Sequence, residues 1–362
     1  MTRAHLLSAG ELRALAGGPE LAAVVDNLRD AQLSKHRLLL AAITRTAARR
    51  WPAECQTVLM PAYRALAEAE RRDARAVTDL IASPRFGGWA ADCLRELETS
   101  PASLAHLRVL AAGDAEVPRL TAETDGHRFE VLLDDRDPHL GKLGTARPRI
   151  TGQELSRWQE VFTGAWAALA TRHRQWAGPL ARVITTLVPI PPGDDGRPAQ
   201  STAASRFGAI ALSLPADPLA MAETLVHEFH HAVLSAATDV TALTLPGADQ
   251  PSYAPWRDDP RPAAALLQGV YAHFGVTGFW RREPGPHAQR QYARWRLATA
   301  RTAEALTGME VLTADGRTLL TAVRAVLKDW HNDVVQSHAL TYAHRVADEH
   351  RTAWLARSAS SY

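Results

Sequence analysis

Two histidines four residues apart, with a glutamate directly after the first, stand in the segment His227-Glu228-Phe229-His230-His231. On a helix, residues four apart lie about 40° apart around the axis, so His227 and His231 project side by side and their ring nitrogens can converge on one metal ion. Glu228 lies about 100° from His227 but only about 60° from His231. That angle suits a carboxylate that takes a proton from metal-bound water or orients a ligand better than it suits a third ligand. His230 faces away from the pair and reads as structural. The bland alternative is a solvated helix face that carries two histidines by chance.

The elements around the motif argue against chance. A strand predicted over Phe207 to Leu214 ends at Pro215, and Asp217-Pro218 then supplies a capping residue and a proline at the first helical position. The helix so begun runs from Pro218 to about Ala237, with Ala222, Leu225, Val226, Phe229, Ala232, Val233 and Ala236 as an inward apolar stripe. A loop from about Leu243 to Asp259 follows. A second helix is predicted to open with Asp259 as cap and Pro260 at its start, and to run to about Phe279. Such a loop is long enough to reverse the chain, so the two helices can pack antiparallel.

Upstream, Glu11 to about Glu98 reads as several helices, including Leu21 to Ala48, with breaks at Pro52, Pro61 and Ser83-Pro84. Arg119 to Leu133 changes character, because two short runs flank Asp125-Gly126, a two-residue hairpin signal. A helix from about Gln153 to Trp176 carries Leu155, Trp158, Phe162, Trp166 and Leu169 on one stripe, which makes those tryptophans core. A strand at about Arg182 to Ile190 and a loop over Pro191 to Gln200 lead to the strand before the metal helix. Further helices are predicted over Arg290 to Leu306 and, after a turn at Asp315-Gly316, over Leu319 to Leu355.

Hydrophobic residues make up 46% of the 362 residues, dominated by Ala and Leu, which favours helices over β-branched strands. The predicted fold is mostly α with a small β-sheet, an α+β arrangement. It divides into a helical N-terminal region over 1–115 and a catalytic metal-binding domain over 116–362. The 41 basic and 39 acidic residues nearly balance, giving +2, and this argues against a nucleic-acid or membrane-surface role. Cys55 and Cys93 are far apart and read as reduced thiols. Met1 to Gly10 lacks the apolar run of a signal peptide, and no stretch of about 18 apolar residues occurs, so the expected location is cytoplasmic.

Metal chemistry alone would suggest a zinc peptidase. The wider sequence resembles a different group. Ser201-Thr202, Phe207 to Pro215 and Ala222 to Ala232, then Tyr253-Ala254-Pro255-Trp256-Arg257-Asp258-Asp259-Pro260-Arg261-Pro262 and Leu266 to Val276 resemble a family of HExxH-motif peptide-modification proteins. These occur alone or joined to radical SAM maturases of ribosomal peptide pathways. The resemblance covers about residues 201 to 281, and the family position at His230 is often Gln. It implies an iron(II)- and α-ketoglutarate-dependent β-hydroxylase that uses O2 on a ribosomally made precursor peptide. A radical SAM maturase is then a possible second partner. Imidazole suits zinc and iron alike, and a facial set of three protein ligands leaves positions for co-substrate and oxygen.

Two histidines leave an ion short of a protein ligand. His273, mid-helix with Gly269 one turn earlier to leave room above its ring, is the choice; Glu304, His338, His344 and His350 are the alternatives. The distal carboxylate of α-ketoglutarate calls for a forked guanidinium. Arg257 and Arg261 flank the loop before the second helix, although loop-bracing ion pairs are their plain alternative. The peptide is expected to add to an exposed edge of the strand Phe207 to Leu214. Three classes stay open: iron hydroxylase, zinc peptidase with Glu228 as general base and Tyr253 or Tyr271 at the oxyanion, and an inactive metal-stabilised binding module.

Overall fold

The computed structural model describes residues 5–113, 117–143, 149–193, 196, 199–248 and 250–359. The chain is mostly helical with one small mixed sheet among these residues, as the composition predicts. It forms two compact units, one of 1–25, 168–180 and 222–362, the other of 26–167 and 181–221. This division differs from the predicted one: the sheet belongs with the N-terminal helices, and the metal helix from Ala222 onward belongs with the C-terminal helices. The boundary predicted at 115/116, parts of the loop Pro191 to Gln200 and the first residues of the chain lie outside the described residues.

In the sheet-bearing unit, β1 (Arg119–Thr124) and β2 (His127–Leu133) are the predicted hairpin. Asp125 and Gly126 have φ of 51° and 75°, the pair of positive values that a tight turn matched to strand twist requires. The sheet continues through β3 (Thr186–Pro189) to β5 (Ala209–Leu212), with β4 (Gln200–Ser201) at the far edge, in the order β1-β2-β3-β5-β4. β5 is parallel to β3 on one side and antiparallel to β4 on the other. The expected edge for a bound peptide is therefore shortened, because β4 covers the outer flank of β5 at Ala211 and Leu212. On the edge of β1, the Gln159 amide occupies Thr121 as a further strand would, accepting from its N at 3.2 Å and donating to its O at 2.8 Å.

The predicted strand at Arg182 begins late because a helix, Arg174–Val183, occupies its start. The helix predicted through Trp176 stops at Arg172. Trp158 and Trp166 are fully buried, as their stripe implies. A second apolar core gathers Ile43, Leu59, Phe86, Trp89 and Leu107 from the N-terminal helices.

The helix that carries the histidine motif spans Pro218–Val240 and belongs to the other unit from Ala222 onward; it is capped as predicted, with Asp217 Oδ1 accepting from Ala220 N at 2.9 Å. Its apolar stripe is buried. The second helix is Ala263–Arg282, and it begins without a side-chain cap. Residues 252–261 close on themselves through paired backbone bonds between Ser252 and Arg261, 2.9 and 2.8 Å, so the chain is still extended where Asp259 and Pro260 were predicted to start the helix. The helix Gly285–Gly308 packs on the second helix and on both C-terminal helices, Ala314–Trp330 and Ser337–Ala359. Asp315-Gly316 is no turn: Thr313 caps a helix there and accepts from Gly316 N at 3.1 Å.

Candidate metal centre

The metal helix and the second helix run antiparallel, as a chain of matched contacts shows. Ser235 and His231 meet Gln268, His227 meets His273, His230 meets Gly275, and Glu223 accepts from Trp280 Nε1 at 2.7 Å. This pairing places the predicted ligand His273 level with the histidine pair. The His227 and His273 rings lie 5.1 Å apart at 84°, and those of His227 and His231 4.7 Å apart at 75°.

The Nε2 atoms of His227 and His231 are 3.1 Å apart, less than twice a metal–nitrogen bond of about 2.0–2.1 Å, so one ion can reach both. Their protonation is set from behind. Gln268 Nε2 donates to Ser235 Oγ at 3.3 Å, which turns its Oε1 toward His231 Nδ1 at 3.1 Å. His231 Nδ1 must then carry the proton, leaving Nε2 with a lone pair. The same logic holds at His273, whose Nδ1 donates to the Gly269 carbonyl at 2.9 Å. Burial holds His227, with help from His273, His231 and His230, well below the usual imidazole range, and it also lowers His231 and brings His273 to about 3. All three rings are therefore neutral near pH 7, the form in which imidazole binds metal.

Glu228 is buried, with Oε1 3.8 Å from His227 Nε2, close enough to act on a group bound beside the pair. His230 is structural as predicted: Nδ1 donates to Val226 O at 2.7 Å, and its ring packs among Trp176, Tyr271 and Phe229. Among the described residues, no three His, Cys, Asp or Glu side chains form a ready-made metal cage. The histidine pair is drawn together, and His273 stands beside it as the nearest third imidazole.

Other expectations are corrected. The space beside Gly269 is not open to an ion or co-substrate, because the Trp256 indole fills it: a side-chain carbon at Gly269 would come within 2.4 Å of that ring. Trp256 stacks on His273 at 4.4 Å and 16°, and Trp295 tilts against His273 at 4.5 Å. Arg257 and Arg261 both turn onto Asp259, at 2.8 and 2.9 Å, and together they bring its carboxyl down to about 2. They brace the loop. Glu304, His338 and His344 are exposed, and His350 Nδ1 is hydrogen-bonded to Tyr253 Oη at 2.8 Å.

Arg294 is marked by no motif in the sequence. It is half-buried, lies over the Trp295 ring at 4.3 Å, and has no carboxylate partner among the described residues. Its charge acts on both His273 and His350. Only the adjacency Arg294-Trp295, on a helix that predicts no motif, could have pointed to it. No family model matches the chain, and no curated protein is similar to it.

Proposed function

We propose that this protein is an iron(II)- and α-ketoglutarate-dependent hydroxylase that places a hydroxyl on a side-chain β-carbon of a ribosomally made precursor peptide. The observation that carries the metal reading is the His227–His231 pair, with Nε2 atoms 3.1 Å apart and the His231 tautomer fixed by Gln268. The resemblance of residues 201 to 281 to HExxH peptide-modification proteins supports iron over zinc. So does the state of the two tyrosines a peptidase would need: Tyr271 Oη donates to Leu15 O at 2.8 Å and is fully buried, while Tyr253 Oη is engaged with His350.

In this reading His227, His231 and His273 would hold the ion. When bound, iron with α-ketoglutarate and O2 supplies the oxidising power for C–H hydroxylation, releasing succinate and carbon dioxide. The chain's own residues bind and orient. Gln268 and the Gly269 carbonyl fix two ligand tautomers, Trp256 and Trp295 wall the His273 ring and keep water from it, and Glu228 holds a proton or water beside His227. The test is mass spectrometry of the precursor peptide after co-expression with this protein. A gain of about 16 Da that disappears with His227→Ala supports the reading; a cleaved peptide, with zinc sufficient and α-ketoglutarate without effect, refutes it.

A further inference from the structure

Strand β2 is paired along its whole length on the β1 side but only at its end on the β3 side. The tight turn makes Thr124 and His127 a pair that exchanges both backbone bonds, and in an antiparallel ladder such pairs alternate with pairs that exchange none. His127, Phe129, Val131 and Leu133 therefore spend their N–H and C=O groups toward β1, whereas Arg128, Glu130 and Leu132 aim theirs the opposite way. Two bonds bear out this alternation: Leu133 N donates to Pro118 O at 2.8 Å, and Leu132 N donates to Thr185 O at 2.9 Å. Beyond Leu132 and Leu133, β3 pairs with nothing on β2. The main-chain N–H and C=O groups of Arg128 and Glu130 thus have no hydrogen-bond partner among the described residues.

The strand predicted from Arg182 would have met them. Carrying the register back from Leu132 opposite Thr186 sets Glu130 opposite Ile184 and Arg128 opposite Arg182, but the chain is helical through Val183. Thr185 N, which a longer β3 would offer to Glu130, donates to Gly208 O at 2.9 Å instead. The space so left is open: Glu130 and Leu132 of β2 and Val183 and Thr185 before β3 line one cleft of about 920 Å³, which Leu66 and Val77 of the N-terminal helices also line. The outer side of β1 gives the contrast. There Thr121, opposite Glu130, has its outward N–H and C=O both met by Gln159.

We propose that this slot binds an extended peptide, which adds to the β3 side of β2 as a strand about four residues long and exchanges main-chain bonds with Arg128 and Glu130. Water can serve these groups one at a time in the free chain, but only an extended chain offers N–H and C=O groups at the spacing that serves both residues together. Charge adds a side-chain preference. Arg119 and Arg128 share the Glu130 carboxylate at 3.0 and 2.6 Å, so an acidic side chain of the guest is favoured beside Arg128. These groups are exposed or half-buried, which leaves the main-chain bonds as the larger contribution. The slot lies wholly in the sheet-bearing unit, and the inference stands without the metal reading.

The test selects short random peptides, displayed on phage, against the full chain with chelator present, and discards those that also bind Thr185→Trp. Thr185 is exposed and lines the cleft, so an indole there fills the slot and leaves the backbone bonds of Thr185 in place. Selected peptides are synthesised and titrated by calorimetry. Methylating one alternate set of a peptide's amide nitrogens should weaken binding about tenfold, the worth of one or two hydrogen bonds, while methylating the other set is tolerated, as a strand bonded along one edge requires. Glu130→Pro removes an N–H that no ladder bond uses, so it should bind about tenfold more weakly than Glu130→Ala. Glu130→Ala itself should hold acidic peptides at least as tightly as the parent, because it frees Arg128. The slot is overturned if no peptide distinguishes the parent from Thr185→Trp, if the two methylated sets bind alike, or if the alanine and proline variants do. Should Glu130→Pro fail to fold, the methylated peptides decide alone, since they are titrated into the parent chain.

Discussion

Gln268 is the residue on which the state of the histidine pair turns. Its amide is oriented by Ser235, and it in turn forces the proton of His231 onto Nδ1. Gln268→Leu should therefore weaken metal binding by about 10- to 100-fold, the usual effect of losing a partner behind a ligand, with the helices intact by circular dichroism. Unchanged affinity would show that His231 needs no such support. His227→Ala and His231→Ala should each abolish metal retention and leave the fold standing on its apolar stripe, whereas Glu228→Gln should keep the ion and lose turnover. At this scale the pair and the structural role of His230 were legible, because the i, i+4 spacing on a capped helix is local, and His273 was placed by the reversal of the chain between two helices. Arg294 was not, since its position beside His273 depends on how a third helix packs. Arg257 and Arg261 were misread for a similar reason: Asp259 lies two residues from each, and an exposed loop carboxylate satisfies them before any distant ligand can.

The antiparallel pair of helices relies on a close approach. Gly275 lies against His230, and a side-chain carbon there would come within 2.3 Å of the imidazole, which is walled on its other sides by aromatic rings. Gly275→Ala should cost about 1–3 kcal/mol in urea denaturation, the scale of overpacking in a rigid core, and should loosen metal binding by shifting the helices. If the variant is as stable as the parent, the contact is softer than the packing implies. The hairpin at Asp125-Gly126 and the metal helix could be read from sequence because their turn and cap chemistry is local. Starts and stops set by tertiary bonds were not legible. The second helix begins at Ala263, past the predicted Asp259 cap, because the Ser252–Arg261 bridge holds the chain extended, and β5 became an interior strand because β4 pairs with its outer side.

At the scale of the whole molecule, buried imidazoles set the response to acid. Burial lowers His173, against the opposing pull of Glu283, and lowers His230 to about 4 and His273 to about 3. Each of these imidazoles lies below its ordinary value of about 6.5 when folded, so the unfolded chain takes up protons that the folded chain refuses. Stability of the metal-free protein should be full above about pH 6.5 and fall as the pH drops toward the folded values. A urea midpoint that rises between pH 7.5 and 5.5 would contradict this. Cys93, pushed up to about 12 mainly by burial and further by Glu96 and Asp92, should resist alkylation in the native chain at pH 8 and react only after unfolding. The helical class with a small sheet was legible from composition, whereas the division into units was not, since it depends on which helices share a core. No helix among the described residues is long and apolar enough to cross a membrane.

The most direct test of the proposed chemistry is anaerobic calorimetric titration of the metal-free protein with iron(II), with and without α-ketoglutarate. One ion per chain should bind, more tightly when α-ketoglutarate is present, and none should bind to the His227→Ala and His231→Ala variants. Iron binding that is indifferent to α-ketoglutarate, or that survives loss of either histidine, would contradict that chemistry.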